Sequence, residues 1–173
     1  MATNYFSDLY AGLATASTLD MQKRASAGVS HGRLRYAVCR FDPGEVVTIN
    51  SIVRMKQFKS GDRIHSILLS STDCGSAGDI DLGIYKSGAS HDGVVVDLDL
   101  FASAQDVNAA IRERIEIFDE AGLDDHDRGK TLWELNGDSV DPMEDWDLSI
   151  HVAEASTDTA WELTLEIFYT AGD

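Results

Sequence analysis

The sequence predicts a mainly β fold: an antiparallel β-sandwich, jelly-roll-like, with one substantial helix and an N-terminal arm. Apolar and polar residues alternate with a period of two in several short segments, and turn-forming residues separate these segments. Only one stretch of the body carries a helical stripe, whereas a parallel α/β fold would need several helices. The 173 residues suffice for one domain with a hydrophobic core and not for two ordinary ones.

Residues 1–32 are predicted to form an N-terminal arm. From Asn4 onward, apolar side chains recur at i, i+1, i+4, i+5 and i+8, which is one stripe of a short amphipathic helix. The members of this stripe are Tyr5, Phe6, Leu9, Tyr10 and Leu13. Residues 14–32 are mostly small and polar and would bury little. The arm would either lie across a neighbouring subunit or fold back on its own domain.

The sandwich domain is predicted over residues 33–173 and opens with a strand. In "RLRYAVCRF" the side chains of Leu34, Tyr36 and Val38 share one face, which predicts a half-buried strand. Arginines occupy other positions of the segment. These arginines are Arg33, Arg35 and Arg40.

Three further strand signals follow along the chain. After a turn at "DPG", the segment "EVVTINSIVRMKQF" is predicted as one long strand or two short ones. A turn at "KSGD" leads into the strand "RIHSILLSS". In "DIDLGIYK" the side chains of Ile80, Leu82 and Ile84 share a core-facing side, while aspartates take the other.

The one substantial helix is predicted over "SAQDVNAAIRERIEIFDEAG", residues 103–122. Ser103 and Asp106 have the spacing of a capping box, and Gly122 ends the segment. Its apolar stripe consists of Val107, Ala110, Ile111, Ile115 and Phe118. The strand pattern resumes at "KTLWEL".

The last strands are predicted to form an antiparallel hairpin. Both halves of "WDLSIHVAEASTDTAWELTLEIFYT" alternate between apolar and polar residues, with "STDT" between them. The apolar sides begin at Trp146 and Trp161. They consist of Trp146, Leu148, Ile150 and Val152, and of Trp161, Leu163, Leu165 and Ile167.

The net charge of −16 disfavours nucleic-acid binding, because phosphate contacts need clustered lysines and arginines. The charge is unevenly placed along the chain. Residues 1–66 hold nine basic and five acidic residues, whereas residues 67–173 hold five basic and 25 acidic ones. This distribution fits either a solvated acidic surface or a basic N-terminal segment that docks on an acidic surface.

No membrane span or secretory signal is predicted, because no run of about 18 apolar residues exists and the N-terminus lacks a basic start. We therefore expect synthesis in the cytoplasm. Cys39 and Cys74 are the only cysteines, and in that compartment they are expected as reduced thiols.

The motifs that could indicate an enzyme lack their structural context. "GVSHG" matches G-x-S-x-G around Ser30, but no strand precedes it and no helix follows it. "RGKT" lacks the first glycine of a phosphate-binding loop, and the five histidines form no zinc-binding pair. The sequence therefore predicts no catalytic residues and no cofactor.

A metal site is not predicted either, although two acidic clusters could hold a hard cation such as calcium. The first consists of Asp124, Asp125 and Asp127 with His126, and the second of Asp138, Asp141, Glu144, Asp145 and Asp147. "GDIDLGIYKSGASHDG" fails as a calcium loop, because it lacks the turn glycine and the final glutamate.

Several segments, in this order, resemble tailed-bacteriophage capsid cement, or head-decoration, proteins. They are the strand pair around "SGDRI", then "GDIDLGIYKSG", then "DLFASAQ", and finally the stretch from "GKTLWEL" to "LEIFYT". The likeness covers residues 33–170. It implies a small, non-enzymatic β-sandwich or jelly roll that clamps neighbouring major capsid protein subunits on the outer surface of the virion.

With this resemblance we expect a homo-oligomer, a dimer or trimer, that is made in the host cytoplasm and binds the major capsid protein. Apolar anchors of the arm and nearby basic residues are the expected capsid or subunit contacts. They are Tyr5, Phe6, Leu9, Tyr10, Leu13, Lys23, Arg24, Arg33 and Arg35. The alternative is a carbohydrate-binding or adhesion module, in which Trp133, Trp146 and Trp161 would stack on sugar rings.

Overall fold

The computed structural model describes residues 33–75, 78–87 and 94–172. Within these ranges the chain forms eight β-strands and one short helix. The strands are β1 (Leu34–Phe41), β2 (Ile52–Lys59), β3 (Arg63–Ser71), β4 (Asp79–Lys86), β5 (Val95–Asp106), β6 (Ile111–Glu116), β7 (Asp145–Val152) and β8 (Leu163–Thr170). The helix α1 (Leu132–Leu135) lies between β6 and β7.

The strands form two four-stranded antiparallel sheets, so the predicted mainly β fold is confirmed. The first sheet has the order β1-β8-β3-β6 and the second has the order β2-β7-β4-β5. Each of the first three connections, and each of the last three, passes from one sheet to the other, which gives the strand order of an eight-stranded jelly roll. The apolar sides of both sheets contribute to one buried core.

Trp146 and Trp161 are the largest side chains of that core. They are 2% and 1% exposed, and the ring of Phe41 meets Trp161 edge-on at 5.7 Å. The indole N–H of Trp161 donates to the hydroxyl of Ser71 at 2.9 Å, so its polar group is satisfied. Full burial of such a side chain stabilises the fold by roughly 2–3 kcal/mol. The predicted inward side of both segments is correct.

The predicted helix over residues 103–122 is wrong. Its first residues belong to β5, and the middle forms β6, which pairs with β3 through Leu69 opposite Ile115 and Ser71 opposite Ile111. The segment "IRERIE" fits the period of a helix and the period of a strand, because Ile111 and Ile115 are four residues apart and also share one side of a strand. Asp106 does not cap a helix and accepts the backbone N–H of Asn108 in a turn.

Two other local predictions are corrected. "KTLWEL" forms α1 instead of a strand, because Glu134 accepts hydrogen bonds from the backbone N–H and the hydroxyl of Thr131 and fixes a helical turn. The last two strands do not pair as a hairpin: β7 pairs with β2 and β4, while β8 pairs with β1 and β3. Their apolar sides face the same core from opposite sheets, which alternation alone cannot distinguish from a hairpin.

The predicted orientation of β1 is reversed. Leu34, Tyr36 and Val38 are 62%, 53% and 54% exposed, whereas the core side of the strand carries Cys39 and Phe41. The predicted alternation of β1 is correct, but the side predicted to face the core is wrong. Apolar content alone favoured the outer side, because its row of large apolar residues is longer, although the core side also carries an aromatic residue.

The predicted arm lies outside the described residues, and so do Tyr5, Phe6, Leu9, Tyr10, Leu13, Lys23, Arg24 and Ser30. Among the described residues, no helix is long and apolar enough to cross a membrane. Neither Cys39 nor Cys74 forms a disulfide within the residues that the structure describes.

Candidate interaction surface

The outer side of the first sheet carries a group of apolar side chains, of which Leu34, Tyr36 and Val38 are exposed and Leu68 and Phe168 are half-buried. We call the surface formed by Leu34, Tyr36, Val38, Leu68 and Phe168 the β1 face. Tyr36 lies opposite Phe168 in the register, and the two ring centroids are 5.0 Å apart. Val38 lies opposite Glu166, which in turn lies opposite Leu68. Contiguous exposed apolar side chains of this kind mark sites of protein–protein contact.

The β1 face ends at an open sheet edge. Among the described residues, β1 pairs with β8 and with no other strand, so its second side has unpaired backbone groups. Edge strands are commonly protected by charged residues, and β1 follows this rule with Arg35 and Arg40. The same edge is a place where a partner strand can add to a sheet.

A buried carboxylate holds the centre of the β1 face in place. Glu166 is 6% exposed, and its Oε2 accepts the hydroxyl of Tyr36 at 2.5 Å. Nε of Arg114 lies 2.7 Å from Oε1 of the same residue. The hydrogen bond to Glu166 raises the pKa of Tyr36, because the neutral hydroxyl is the donor. These contacts fix the Tyr36 ring before any partner binds.

Two of the predicted contact residues fall within the described residues, namely Arg33 and Arg35. Both are exposed, and neither forms an ion pair within the described part of the chain. Arg40 differs, since its Nη2 lies 2.6 Å from Oε2 of Glu162 and its pKa is raised by that hydrogen bond. Arg33 and Arg35 therefore lie at the start of β1, and Arg35 projects from the side of the strand opposite to Leu34 and Tyr36.

The second sheet holds a polar pair that the sequence did not reveal. Nδ1 of His151 lies 2.9 Å from Oδ2 of Asp81, and the other oxygen of Asp81 accepts the backbone N–H of Ala104 at 2.8 Å. The hydroxyl of Ser149 donates to the carbonyl of Asp147. No serine joins His151 and Asp81 in a catalytic triad among the residues that the structure describes. Alternation had placed both on polar sides of their strands, which was the available signal.

The acidic clusters are used in local contacts. Asp127 pairs with Lys130 at 2.6 Å, and this hydrogen bond lowers the pKa of the Asp127 carboxyl. Asp125 lies 3.0 Å from Arg128. Within residues 33–75, 78–87 and 94–172, no group of three or more His, Cys, Asp or Glu is arranged to hold a metal ion.

No protein-family model matches the sequence, and no curated protein matches it either. Among solved structures, the chain is similar to one in the capsid of Ralstonia phage GP4, with a TM-score of 0.60 and 12% identity over 82% of this chain and 86% of that one. A chain of the cyanophage Pam1 capsid asymmetric unit gives a TM-score of 0.47 and 15% identity over 91% and 99%. A chain of the acidic stable capsid of Helicobacter pylori bacteriophage KHP30 gives 0.41 and 12% over 83% and 91%. The likeness to the GP4 chain is one of fold.

Proposed function

We propose that this protein is a non-enzymatic structural protein of a phage virion, which decorates the outside of the capsid and stabilises it by bridging major capsid protein subunits. The observation that carries the proposal is the β1 face, where the exposed Leu34, Tyr36 and Val38 lie side by side and the buried Glu166 fixes the Tyr36 ring. The fold shared with a chain of the GP4 phage capsid supports it.

Both the β1 face and the arm would contact the capsid. A stable interface buries about 800 Å² on each partner, which is more than one row of five side chains supplies. The remaining contact would come from residues 1–32, with Tyr5, Phe6, Leu9, Tyr10 and Leu13 as apolar anchors and Lys23 and Arg24 as cations. The arm would clamp capsid subunits, and the β1 face would hold each copy in the shell.

Co-sedimentation with expanded phage capsids that lack decoration tests this function. The purified chain should bind at saturating stoichiometry, and Val38→Asp should lower the occupancy at least tenfold, because a charge on the β1 face opposes burial. Ile49→Asp is the matched control, since Ile49 is 55% exposed against 54% for Val38 and lies outside the β1 face. A chain that leaves capsids bare at every concentration would overturn the proposal.

The arm has its own test in the same assay. Deletion of residues 1–20 removes the apolar stripe and leaves the described sandwich intact. Occupancy of the capsid should fall, since the proposed anchors are gone. Full occupancy after the deletion would contradict the role of the arm and not that of the β1 face.

The tryptophans do not support the carbohydrate-binding alternative. Trp146 and Trp161 are buried, and Trp133 packs against the core. A sugar ring stacks on an exposed aromatic face, which Trp146 and Trp161 do not provide, and Trp133 is half-buried. Burial therefore excludes Trp146 and Trp161 from the sugar-stacking role that the alternative gave them.

A further inference from the structure

The two sides of β1 differ in chemistry next to an open sheet edge. The exposed apolar residues of the strand project to the β1 face, whereas Arg35 projects to the opposite side, on which Cys39 packs against the core. Arg33 lies two residues before Arg35 and follows the same alternation. A strand added to this edge would therefore have apolar neighbours on one side and cations on the other.

Lys56 of β2 adds a third cation on the inner side of β1. Its Nζ lies 5.0 Å from the ring centroid of Tyr169, and Tyr169 lies opposite Arg35 in the register. Burial raises the pKa of the Cys39 thiol, and the charge of Lys56 opposes this effect, so Lys56 is close to β1 as well. We call Arg33, Arg35 and Lys56 the cationic strip.

The cationic strip has no acidic partner among the described residues. None of its three members forms an ion pair there, whereas Arg40 and Arg128 each contact a carboxylate. The chain holds 30 acidic and 14 basic residues, so composition does not explain a group of unpaired cations at one sheet edge. This arrangement favours a partner that supplies carboxylates.

The backbone of β1 can supply further contacts to such a partner. Within the described ranges β1 pairs with β8 alone, so alternate residues of β1 direct their N–H and carbonyl groups away from the sheet. An added strand would satisfy these groups, and its side chains would alternate between the two sides of β1. Those on one side would lie beside the β1 face and those on the other beside the cationic strip.

A second copy of β1 fits this edge poorly. Residues 33–41 contain Arg33, Arg35 and Arg40 and no acidic residue. Two such strands paired edge to edge would bring arginines of both copies together, and like charges on neighbouring strands are destabilising. The edge therefore favours a strand with a different charge pattern from its own.

We propose that β1 binds, as an added strand, an extended segment of the capsid subunit in which apolar and acidic residues alternate. The apolar residues would pack on the β1 face, and the carboxylates would lie beside Arg33, Arg35 and Lys56. The inference rests on the proposed function for the identity of the partner, and it states the chemistry of the segment that is bound. The β1 face alone would accept any apolar strand, whereas the cationic strip selects an acidic one.

Titration of the full-length protein with peptides, followed by NMR, tests the proposal. The probe is a synthetic peptide of the length of β1 in which valine and glutamate alternate. It should bind with a dissociation constant of about 1 mM or lower. A peptide of the same composition, with its valines and glutamates in two separate blocks, should bind at least tenfold more weakly. Binding should also slow hydrogen exchange at the alternate amides of β1 that do not donate to β8, because the added strand accepts them.

Reversal of charge tests the role of the cationic strip. The double variant Arg33→Glu, Arg35→Glu should bind the valine–glutamate peptide at least tenfold more weakly and bind a valine–lysine peptide instead. Both arginines are exposed, so the variant should fold. Arg112→Glu is the matched control and should bind as the wild type does. Arg112 is exposed on β6, the other edge strand of the same sheet, and forms no ion pair in the part of the chain that the structure describes.

Three outcomes would overturn the inference. They are no binding of the valine–glutamate peptide at about 5 mM, equal binding of the valine–glutamate and valine–lysine peptides to the wild type, and protection of β6 in place of β1. Capsid binding is read separately by co-sedimentation. A chain that binds capsids but not the peptide contradicts only the inference, and a chain that binds the peptide but leaves capsids bare contradicts only the proposed function.

Discussion

A side chain at position 83 would collide with the backbone of β5. A Cβ built on Gly83 lies 2.1 Å from the carbonyl oxygen of Asp97 and 2.2 Å from that of Leu98. The cause is an irregularity of the β4–β5 register, in which Leu82 pairs with Ala102 while Ile84 pairs with Asp97. The extra residues of β5 cross over Gly83. This explains why β4, whose other residues are larger, contains a glycine at this position.

Gly83→Ala should therefore destabilise the protein. We expect a loss of about 3 kcal/mol or a failure to fold, since the contact is with backbone that cannot rotate away. Gly61→Ala is the matched control, because its added Cβ would meet only the carboxylate of Asp141 at 3.4 Å. Urea unfolding of both variants measures the difference. Equal stabilities would contradict the close approach of β5.

Asp97 should make stability depend on pH in the acid range. Burial raises the pKa of its carboxyl, so the folded protein binds this proton more tightly than the unfolded chain does. The ionised group therefore lowers stability at neutral pH, and this cost disappears as pH falls through the raised pKa. Asp97→Asn should raise the midpoint of thermal unfolding at pH 7 and change it little near pH 3. A gain of equal size at both values would refute this cause.

Single residues also show what the sequence reveals and what it does not. Burial of Trp146 and Trp161 was predictable, since large apolar side chains in alternating strands rarely face water. The exposure of Tyr36 was not predictable, because its hydroxyl is held by Glu166, 130 residues away. The pairing of Asp81 with His151 was not predictable either, because the order of strands in the sheet, and not the local sequence, brings β4 and β7 together.

At the scale of elements, regular alternation predicted β3, β4, β7 and β8 well. The predictions failed where one segment fits the periods of both a helix and a strand, or where a side-chain cap determines the local structure. "IRERIE" fits a helix and a strand equally, and pairing with β3 selects the strand. The hydrogen bonds that Thr131 donates to Glu134 select a helical turn over the apolar alternation of "KTLWEL". Tertiary pairing and side-chain capping are the two effects that single-segment patterns miss.

The loop of residues 137–144, between α1 and β7, should depend on Ser60 for its order. Ser60→Ala removes a hydroxyl that bonds both Asp141 and the Glu144 backbone, so we expect a loss of about 1–2 kcal/mol in unfolding free energy. Hydrogen exchange at the amides of Met143 and Glu144 should accelerate at least tenfold. Ser139→Ala in the same loop is the control, since Ser139 is exposed. Unchanged exchange at both amides would contradict the anchoring role of Ser60.

At the scale of the whole molecule, the strand order could not be read from the sequence. Alternation states which side of a strand is apolar, but both sheets turn their apolar sides to one core. For this reason the sequence predicted a hairpin where the structure has two strands in opposite sheets. Charge, in contrast, is a property of composition, and the value of −16 follows directly from the residues.

That charge predicts a measurable effect on particles. Under the proposed function each bound copy adds a charge of −16 to the capsid surface. Decorated capsids should migrate faster toward the anode than bare ones and resist aggregation at low salt, because like-charged particles repel within the Debye length. Electrophoretic light scattering measures both. Equal mobility of particles with demonstrated occupancy would contradict this role of the acidic surface.

The pairing of β1 with β8 has a practical consequence for engineering. Leu34 lies opposite Thr170, so the chain enters and leaves the sandwich at neighbouring points of one end. A cargo joined after β8 would emerge beside the proposed clamp and compete with the shell for space. The connection between β7 and β8 lies at the opposite end, and residues 157–160 in it are exposed. An epitope inserted there would point away from the clamp, which makes this loop the better position for displaying a vaccine antigen on a particle.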